Sequence, residues 1–499
     1  MARADRSPTV TLEECTLMND VVEYRKLFIG GDWVTPTGTG TLDVISPHSE
    51  ERVGRVPAAT VEDVDRAVAA ARAAFDTGPW PLMPLAERIG VVTRIKEGIA
   101  ARAGDFAELI SRQNGAPMSS AVRTQVLGAV AAYGSACTTA AEFGWEQERP
   151  GVTGPMVVRH EPVGVVAAVV PWNVPQLVIA AKLAPALLAG CTVVLKPAPE
   201  TPLDANLLAE VCTEAGLPRG VLSVLPADRD VSGHLVAHPE VDKVAFTGSV
   251  LAGKQIMAAA AENLTRVTLE LGGKSAAILL EDADLDTAIP HVVAGAFVNS
   301  GQACVALTRI LVPAARYDEV ADTLAAAIAA LRVGDPSDPA TVIGPMVSAR
   351  QRQRNLDYIR LGQEEGAKIL TGGGVPAGLS SGWYVEPTLL GNVDNSMRVA
   401  REEIFGPVVC LIAFEDEDDA VRIANDSDLG LSGAVWAGDV QHGLDVARRV
   451  RTGTFSVNCQ RFDVAGPFGG YKNSGLGREF GPEGLAAYLE TKSIFLPAQ

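Results

Sequence analysis

A cysteine between two predicted elements is the first residue of this chain that could do covalent chemistry. Cys304 follows an apolar run over 289–298 that predicts a helix, and it precedes a strand-like run over 309–312. Backbone N–H groups at such a helix terminus are free to stabilise a negative charge. A packed core thiol is the alternative interpretation, because a cysteine becomes a nucleophile only where its neighbours lower the pKa of the thiol.

Two other side chains have the chemistry that a nucleophilic thiol needs beside it. Asn173 follows a predicted strand in the motif PWNVP, and its amide is a neutral donor suited to an oxyanion. Glu270 ends another predicted strand, beside Gly272 and Gly273, where a carboxylate can move and can acquire the raised pKa of a general base. An ordinary turn asparagine and a surface glutamate at a loop entry remain alternatives.

Two strand ends and one segment that precedes a strand have features of a nucleotide site, and a glycine-rich loop is a further candidate for function. Lys196 ends a strand and could reach ribose or phosphate oxygens. Ser249 opens a helix whose free N–H groups suit a pyrophosphate, although the GxGxxG fingerprint is absent. Glu403 could bind ribose hydroxyls, Phe405 could pack against a flat ring, and the loop over 467–481 is of a length that often has a function. The alternatives are a solvated lysine, an ordinary helix cap, a core phenylalanine and a long surface turn.

The elements that would position these residues alternate between strand and helix. Buried strands are predicted from residue 164 onward, over 165–170, 192–195, 221–225, 241–247 and 267–271. This alternation predicts a parallel sheet with right-handed crossovers, in which ligands bind at the carboxyl ends of the strands. A second alternating region extends from 275 to about 458. The run over 146–158 predicts a hairpin, and 490–496 predicts a final strand that would pair with it or with the same arm of another subunit.

Composition limits the class of protein. With 499 residues the chain is too long for one core and should form two or three domains. A net charge of −18 without any basic run argues against a nucleic-acid partner. Seven dispersed cysteines without CxxC argue against disulfides and a metal site, and for a reducing, cytoplasmic compartment. The longest apolar stretch, 163–194, is interrupted by polar residues, so no membrane span is expected. Residues 1–20 lack a signal-peptide pattern and are expected to be a mobile extension.

Seven segments taken together resemble the aldehyde dehydrogenase superfamily. They occur in that family's order and spacing from about residue 26 to the end of the chain: PWNVP, KPAPETP, FTGS, ELGGK, GQAC, EIFGP and PFGGYKNSGLGREFG. Each segment alone is modest evidence for the family, but chance does not readily explain seven segments in the family's order. The resemblance implies an NAD(P)-dependent, non-acylating enzyme that oxidises a small aldehyde to a carboxylic acid.

The resemblance also implies roles for individual residues. Cys304 would be the nucleophile that forms a thiohemiacetal and then a thioester, Asn173 would hold the oxyanion, and Glu270 would activate the hydrolytic water. Glu479 matches a position linked to proton relay, and Lys182 matches a lysine near the base. Nine residues from five of the segments would bind the cofactor: Trp172, Lys196, Glu200, Gly248, Ser249, Leu271, Gly272, Glu403 and Phe405.

The fold that the resemblance implies is α/β, with a Rossmann-like cofactor-binding domain, an α/β catalytic domain and a small β oligomerisation arm. We expect the cofactor-binding domain at 21–145 and 163–272 and the catalytic domain at 273–474. The arm would comprise 146–162 and 486–499, and it would build a homodimer or a homotetramer.

Two departures from the family pattern bear on specificity. Many NAD-preferring members carry a glutamate three residues after the lysine, but here that position is Pro199 and Glu200 follows it. The cofactor is therefore NAD or NADP, with NAD favoured. Val174 replaces a frequent aromatic residue and predicts a roomier, aliphatic tunnel. Arg461, near the expected mouth, could favour an acidic group or be an ordinary solvated arginine.

Three other classes of protein fit parts of this pattern. A structural protein of this fold would be expected to lose the thiol or the base, and a CoA-acylating dehydrogenase typically lacks the base; Cys304 and Glu270 are both present. A thiol hydrolase would act on esters without a nucleotide. It predicts no change in cofactor absorbance when an aldehyde is added.

Overall fold

In the computed structural model, which describes residues 15–18 and 21–497, five parallel strands form the centre of an eight-stranded sheet. The eight strands are, in sheet order, Gly475–Leu476, Arg266–Glu270, Lys243–Thr247, Val165–Val169, Thr192–Lys196, Leu222–Val224, Leu27–Ile29 and Asp32–Val34. The predicted parallel sheet is therefore confirmed. Most of the predicted extension over 1–20 lies outside the described residues. The part of it that is described, Cys15–Met18, pairs with Val21–Tyr24.

The strand order creates a topological switch point beside Val165–Val169. This strand pairs in parallel with Thr192–Lys196 on one side and with Lys243–Thr247 on the other. After Val165–Val169 the chain forms Thr192–Lys196 on one side and only later forms Lys243–Thr247 on the other side. The connections therefore diverge at the carboxyl end of Val165–Val169. In sheets of this kind a ligand crevice opens at such a point.

Helices pack on both faces of this sheet, as expected for strands with two buried faces. They are Val61–Asp76, Leu85–Ala101, Ala103–Asn114, Leu127–Glu142, Pro175–Ala189, Leu203–Glu214, Arg229–Ala237 and Val250–Ala261, with short helical turns at Trp80–Leu82, Met118–Ser120 and Ala121–Val126. The first begins at a capping box formed by Thr60 and Asp63. The helix from Pro175 has proline at its first position and ends before Gly190, which is left-handed.

A second, seven-stranded sheet follows in the chain. Its strands are, in order, Lys368–Thr371, Thr388–Gly391, Val408–Phe414, Arg309–Pro313, Ala276–Leu279, Gly433–Trp436 and Ser456–Val457. Its helices are Leu285–Ala296, Tyr317–Ala329, Ala349–Glu364, Arg398–Arg401, Glu417–Asn425 and Val440–Arg449, with short turns at Val298–Gly301 and Ala314–Arg316. The helices predicted at 317–331, 349–365 and 418–425 are confirmed to within two residues.

Three smaller sheets complete the fold. Met156–Pro162 pairs antiparallel with Glu146–Arg149 and, on its other side, with Leu489–Phe495. The predicted hairpin and its pairing with the final strand are thus confirmed within one chain. That strand exposes Phe495, 73% of which is accessible to solvent. The second of these sheets contains, in order, Cys15–Met18, Val21–Tyr24, Arg52–Pro57 and Thr41–Ile45. The third pairs Leu429–Gly430 with Tyr471–Lys472. Over the described ranges, no helix is both long enough and apolar enough to cross a membrane.

Candidate active site

Cys304 lies in the connection between a helix that ends at Ala296 and the next strand of the second sheet. The helix ends earlier than predicted, and a turn over 299–301 with φ of 50° to 73° follows it. Gly301 is needed there, because a Cβ would overlap the carbonyl oxygen of Gly406. The turn brings the half-buried Cys304 to the edge of the first sheet.

Asn173 is fixed against the Cys304 loop by amide hydrogen bonds. Its Nδ2 donates to the carbonyl oxygen of Gln302 at 2.9 Å. Its own carbonyl oxygen accepts from the side-chain amides of Asn114 and Asn299, at 3.2 and 3.0 Å. An amide nitrogen carries two hydrogens, and no described residue accepts the second one. That N–H is available to an oxyanion beside the thiol.

Glu270 is the last residue of its strand, and its side chain is almost completely buried. Neither carboxylate oxygen has a hydrogen-bond partner within the part of the chain that the structure describes. Burial raises the pKa of Glu270 to about 9; the charge of Glu479 raises it too, while Lys182 and Arg478 oppose the shift. A buried carboxylate without a partner accepts a proton readily, as a general base must.

A buried ion pair lies beside this candidate base. Lys182 donates from Nζ to the carboxylate of Glu479 and, at 2.6 Å, to Oγ1 of Thr247. Glu479 belongs to the glycine-rich loop, whose Gly469 approaches the same place: a Cβ on Gly469 would lie 2.6 Å from Oε1 of Glu270. The structure therefore brings Lys182, Glu479 and Glu270 together.

The surroundings of the thiol do not lower its pKa. Burial raises the pKa of Cys304, and the negative charges of Glu403, Glu270 and Glu479 raise it further. Of these acidic groups, Glu270 ends a strand of the first sheet, Glu403 lies in the loop before a strand of the second sheet, and Glu479 belongs to the glycine-rich loop. Without a cofactor, Cys304 is therefore held as a neutral thiol.

A cavity of about 370 Å³ opens at the switch point of the first sheet. Its volume falls within the range of small-molecule sites. Nine of the predicted residues line it: Trp172, Asn173, Gly248, Ser249, Leu271, Gly272, Cys304, Glu403 and Phe405.

Three groups around the cavity suit the parts of a dinucleotide. Ser249 caps the helix from Val250, and the unpaired N–H groups of that first turn suit a pyrophosphate. The rings of Trp172 and Phe405 meet edge to face, with centroids 5.3 Å apart, and offer a surface to a flat ring. The carboxylate of Glu403 accepts from the N–H of Gly273 at 2.9 Å and keeps further lone pairs for hydroxyls.

Lys196 is the last residue of the neighbouring strand, Thr192–Lys196, and Glu200 lies beyond it. Neither residue lines the larger cavity. The side chain of Lys196 is mostly buried, and none of the residues in the described ranges hydrogen-bonds to its ammonium. Burial lowers the pKa of Lys196 to about 8, against the charges of Glu200 and Asp228. Glu200 faces Arg350, 3.9 Å away. An ammonium without a protein partner at this strand end can donate to a cofactor oxygen.

A second cavity, of about 130 Å³, lies on the other side of the Cys304 loop and is lined by Val305. Arg461 lines it too, where the mouth of the tunnel was expected. Phe462 and Phe468 contribute aromatic surface, and their ring centroids are 5.5 Å apart. Consecutive residues of one loop, Cys304 and Val305, thus line two different cavities.

Gln351 and Arg354 line the larger cavity, but the sequence did not single them out. Gln351 donates to the carbonyl oxygen of Phe405 and Arg354 to that of Glu403, each at 2.6 Å. Their three-residue spacing on a predicted helix indicates a shared face. Which segment this face contacts depends on tertiary packing.

Comparison with known proteins places these features in a family context. The model described as "Aldehyde dehydrogenase family" matches residues 33–494. Geranial dehydrogenase from Castellaniella defragrans is 47% identical over 95% of this chain and 99% of its own length. A Mycobacterium tuberculosis aldehyde dehydrogenase complexed with NAD+ is 49% identical, covering 96% of this chain and 99% of that one, with a TM-score of 0.95. A variant of aldehyde dehydrogenase C from Pseudomonas syringae, complexed with NAD+ and octanal, is 43% identical over 95% and 98% of the two chains, with a TM-score of 0.93.

Proposed function

Because this chain belongs to the aldehyde dehydrogenase family and oxidises an aldehyde to a carboxylic acid with NAD(P)+, we propose that Cys304, Asn173 and Glu270 carry out that reaction. The observation that carries the assignment is the buried carboxylate of Glu270, which has no hydrogen-bond partner among the described residues and acts electrostatically on Cys304. A structural protein would have no use for such an arrangement, because a buried group without a partner destabilises the fold.

Acylation begins when the thiol proton has passed to water in the cavity. The sulfur of Cys304 attacks the aldehyde carbon, a C–S bond forms, and the carbonyl electron pair moves to oxygen. The free N–H of Asn173 and the backbone N–H of Cys304 stabilise this oxyanion. When bound, NAD(P)+ would supply the acceptor for the hydride that leaves the thiohemiacetal carbon. A thioester on Cys304 remains.

Deacylation is the task of Glu270. Its carboxylate takes a proton from water, the water oxygen attacks the thioester carbon, and the C–S bond breaks with its electron pair returning to the sulfur of Cys304. The carboxylic acid leaves, and Glu270 holds one extra proton. Lys182 and Glu479 form the buried path through which that proton leaves the base.

The cofactor residues divide by the group that each can bind. Lys196 and Glu403 hold ribose hydroxyls, and Ser249, with Gly248, holds a phosphate. Trp172, Leu271, Gly272 and Phe405 enclose the nicotinamide end. NAD is favoured over NADP, since Glu200 lies close to Lys196 and its negative charge opposes a 2′-phosphate.

The substrate that suits the second cavity is an apolar aldehyde. Phe462 and Phe468 form one side of it, and Val305 brings aliphatic surface next to the thiol. Relatives named for geranial and complexed with octanal are consistent with this class. The charge of Arg461 lies in the same lining and can accommodate a polar end on the aldehyde.

The remaining assignments concern domains and assembly. We assign cofactor binding to 21–145 and 163–272 and catalysis to 273–474. The sheet of 146–162 and 486–499 is the oligomerisation arm, because its final strand leaves apolar side chains exposed at an unpaired edge. A homodimer or homotetramer in the cytoplasm is the expected form.

A panel of aldehydes tested with both cofactors examines this proposal. We expect aliphatic aldehydes of medium chain length to be oxidised with a kcat/KM at least about ten times that for acetaldehyde, because burial of only two further CH₂ groups, at about 0.8 kcal/mol each, already corresponds to about a tenfold change. NAD+ should give the higher kcat/KM of the two cofactors. Reduced nicotinamide is followed by absorbance, and a preference for charged aldehydes would contradict the assigned substrate class.

Asn173→Ala tests the oxyanion donor. We expect kcat to fall about 10²- to 10³-fold, the usual effect of removing one such donor. Affinity for NAD+, measured by calorimetry, serves as the control and should change little. A fall in kcat by a factor no larger than the rise in KM would mean that Asn173 positions the loop and does not stabilise the oxyanion.

A further inference from the structure

The loop that carries the oxyanion donor and the loop that carries the nucleophile are joined by the side chain of Asn299. Its Nδ2 donates to the backbone carbonyl oxygen of Asn173 at 3.0 Å and to the carbonyl oxygen of Gln302 at 3.3 Å. The first loop follows a strand of the first sheet, and the second loop precedes a strand of the second sheet. The mechanism uses Asn173 and Cys304 and leaves Asn299 without a role.

The backbone at Asn299 is left-handed, with φ of 50° and ψ of 43°. Few side chains tolerate this conformation, and asparagine is one of them. An amide nitrogen carries two hydrogens, so Asn299 can donate one to each of the two carbonyl oxygens. Asn299 lines neither the larger cavity nor the second one. Its effect on the reaction would therefore pass through the two loops that it joins.

Each loop is also anchored on its own side. The carbonyl oxygen of Asn173 accepts from the side-chain amide of Asn114 at 3.2 Å. Oε1 of Gln302 accepts from the N–H of Val347 at 3.0 Å. The remaining bond between the loops is the one from Nδ2 of Asn173 to the carbonyl oxygen of Gln302, at 2.9 Å. Loss of the Asn299 amide would therefore leave the donor to be oriented by Gln302 alone, without the bond that fixes its backbone to the nucleophile loop.

We propose that Asn299 is a positioning residue for the oxyanion: by holding the carbonyl oxygens of Asn173 and Gln302 together, it sets the distance between the donor amide and the loop that carries Cys304. The inference rests on the proposed role of Asn173 as the oxyanion donor. Such a donor is effective only within about 2.7–3.1 Å of the place that the oxyanion takes. A misplacement of about 1 Å can lower a rate by on the order of 10²-fold, so small changes at this contact matter.

Two substitutions remove the donor and retain the turn. Asn299→Gly keeps the left-handed backbone, which glycine adopts freely. Asn299→Asp keeps the size of the side chain and the tolerance for this conformation, but a carboxylate cannot donate. Full-length enzyme is mixed rapidly with NAD+ and octanal, and the first turnover is followed by nicotinamide absorbance. We expect its rate constant to fall about five- to tenfold in Asn299→Gly, and at least as far in Asn299→Asp, the effect of losing a hydrogen-bonded contact. Affinity for NAD+ and KM for octanal should change little.

A double-mutant cycle shows whether the effect passes through the donor. In the Asn173→Ala background, Asn299→Gly should cause no further fall, because no donor is left to position. Asn392→Gly is the matched control, since Asn392 is an exposed left-handed asparagine (φ of 53°) just after the strand Thr388–Gly391. It should retain the parent rate.

An unchanged first turnover in both Asn299 variants, or an equal fall from Asn299→Gly in the Asn173→Ala background, overturns the proposal. Asn173→Ala alone is measured in parallel. If it retains the parent rate, the proposed role of Asn173 as the oxyanion donor has failed, whatever Asn299→Gly does.

Discussion

Cys304→Ala is expected to lower kcat for aldehyde oxidation by at least about 10³-fold, because no other group can form the covalent intermediate. Among the residues that the structure describes, Cys304 alone brings a sulfur to the lining of the larger cavity, and the loop around it is fixed by a left-handed turn that tolerates no Cβ at Gly301. The measurement is the rate of aldehyde-dependent nicotinamide reduction. Mass spectrometry should show no acyl adduct.

Two controls separate lost chemistry from lost structure. Affinity for NAD+, measured by calorimetry, should survive in Cys304→Ala, because the other residues that line the cavity are unchanged. Cys137→Ala removes a partly buried cysteine elsewhere in the chain and should retain the parent rate. Residual turnover above about one per cent in Cys304→Ala would mean that another nucleophile operates.

Glu270→Gln should produce an enzyme that completes one turnover and then stalls. Glutamine keeps the size of the side chain but cannot accept a proton, so the steady-state rate should fall about 10²- to 10⁴-fold. The first-turnover burst of reduced nicotinamide should remain, and the thioester on Cys304 should accumulate. Rapid mixing measures the burst, and mass spectrometry measures the thioester.

The pH dependence provides an independent check on the same residue. The pKa of Glu270 is raised to about 9, so the protonated, inactive form dominates below that value. Deacylation in the parent should therefore accelerate about tenfold per pH unit between pH 7 and 8 and level off above pH 9. Glu270→Gln should lose this dependence. A flat profile in the parent would exclude Glu270 as the base.

The general location of the site could be predicted from the sequence because it follows from local patterns. Buried apolar runs that alternate with helices predict parallel strands, and Asn173 and Glu270 stand where two of those strands end. The carboxyl ends of parallel strands share one edge of the sheet, so these residues had to be near each other. The Lys182–Glu479 pair has no such local signal, and its prediction rested on the family resemblance.

Long-range packing accounts for what the sequence did not reveal. The acidic groups that raise the pKa of Cys304 come from distant segments, so the direction of that shift could not be predicted locally. The early end of the helix at Ala296 depends on a left-handed turn at Asn299, which ordinary propensities do not favour. Lys243 interrupts an apolar strand and would pass for a surface residue, although it is buried. Its burial depends on groups far away in the sequence, including Tyr488.

The closing strand near Gly475 has a consequence for how the enzyme is made. Gly475 pairs with Glu270, and Glu479 follows shortly after, so the base receives its neighbours only when the end of the chain has emerged from the ribosome. At about 5–20 residues per second, on the order of 10–30 s separate the synthesis of Cys304 from that of this segment. A nascent or prematurely terminated chain carries the thiol without the finished proton path. A chain that ends before Gly475 therefore lacks both the strand that pairs with Glu270 and the carboxylate of Glu479.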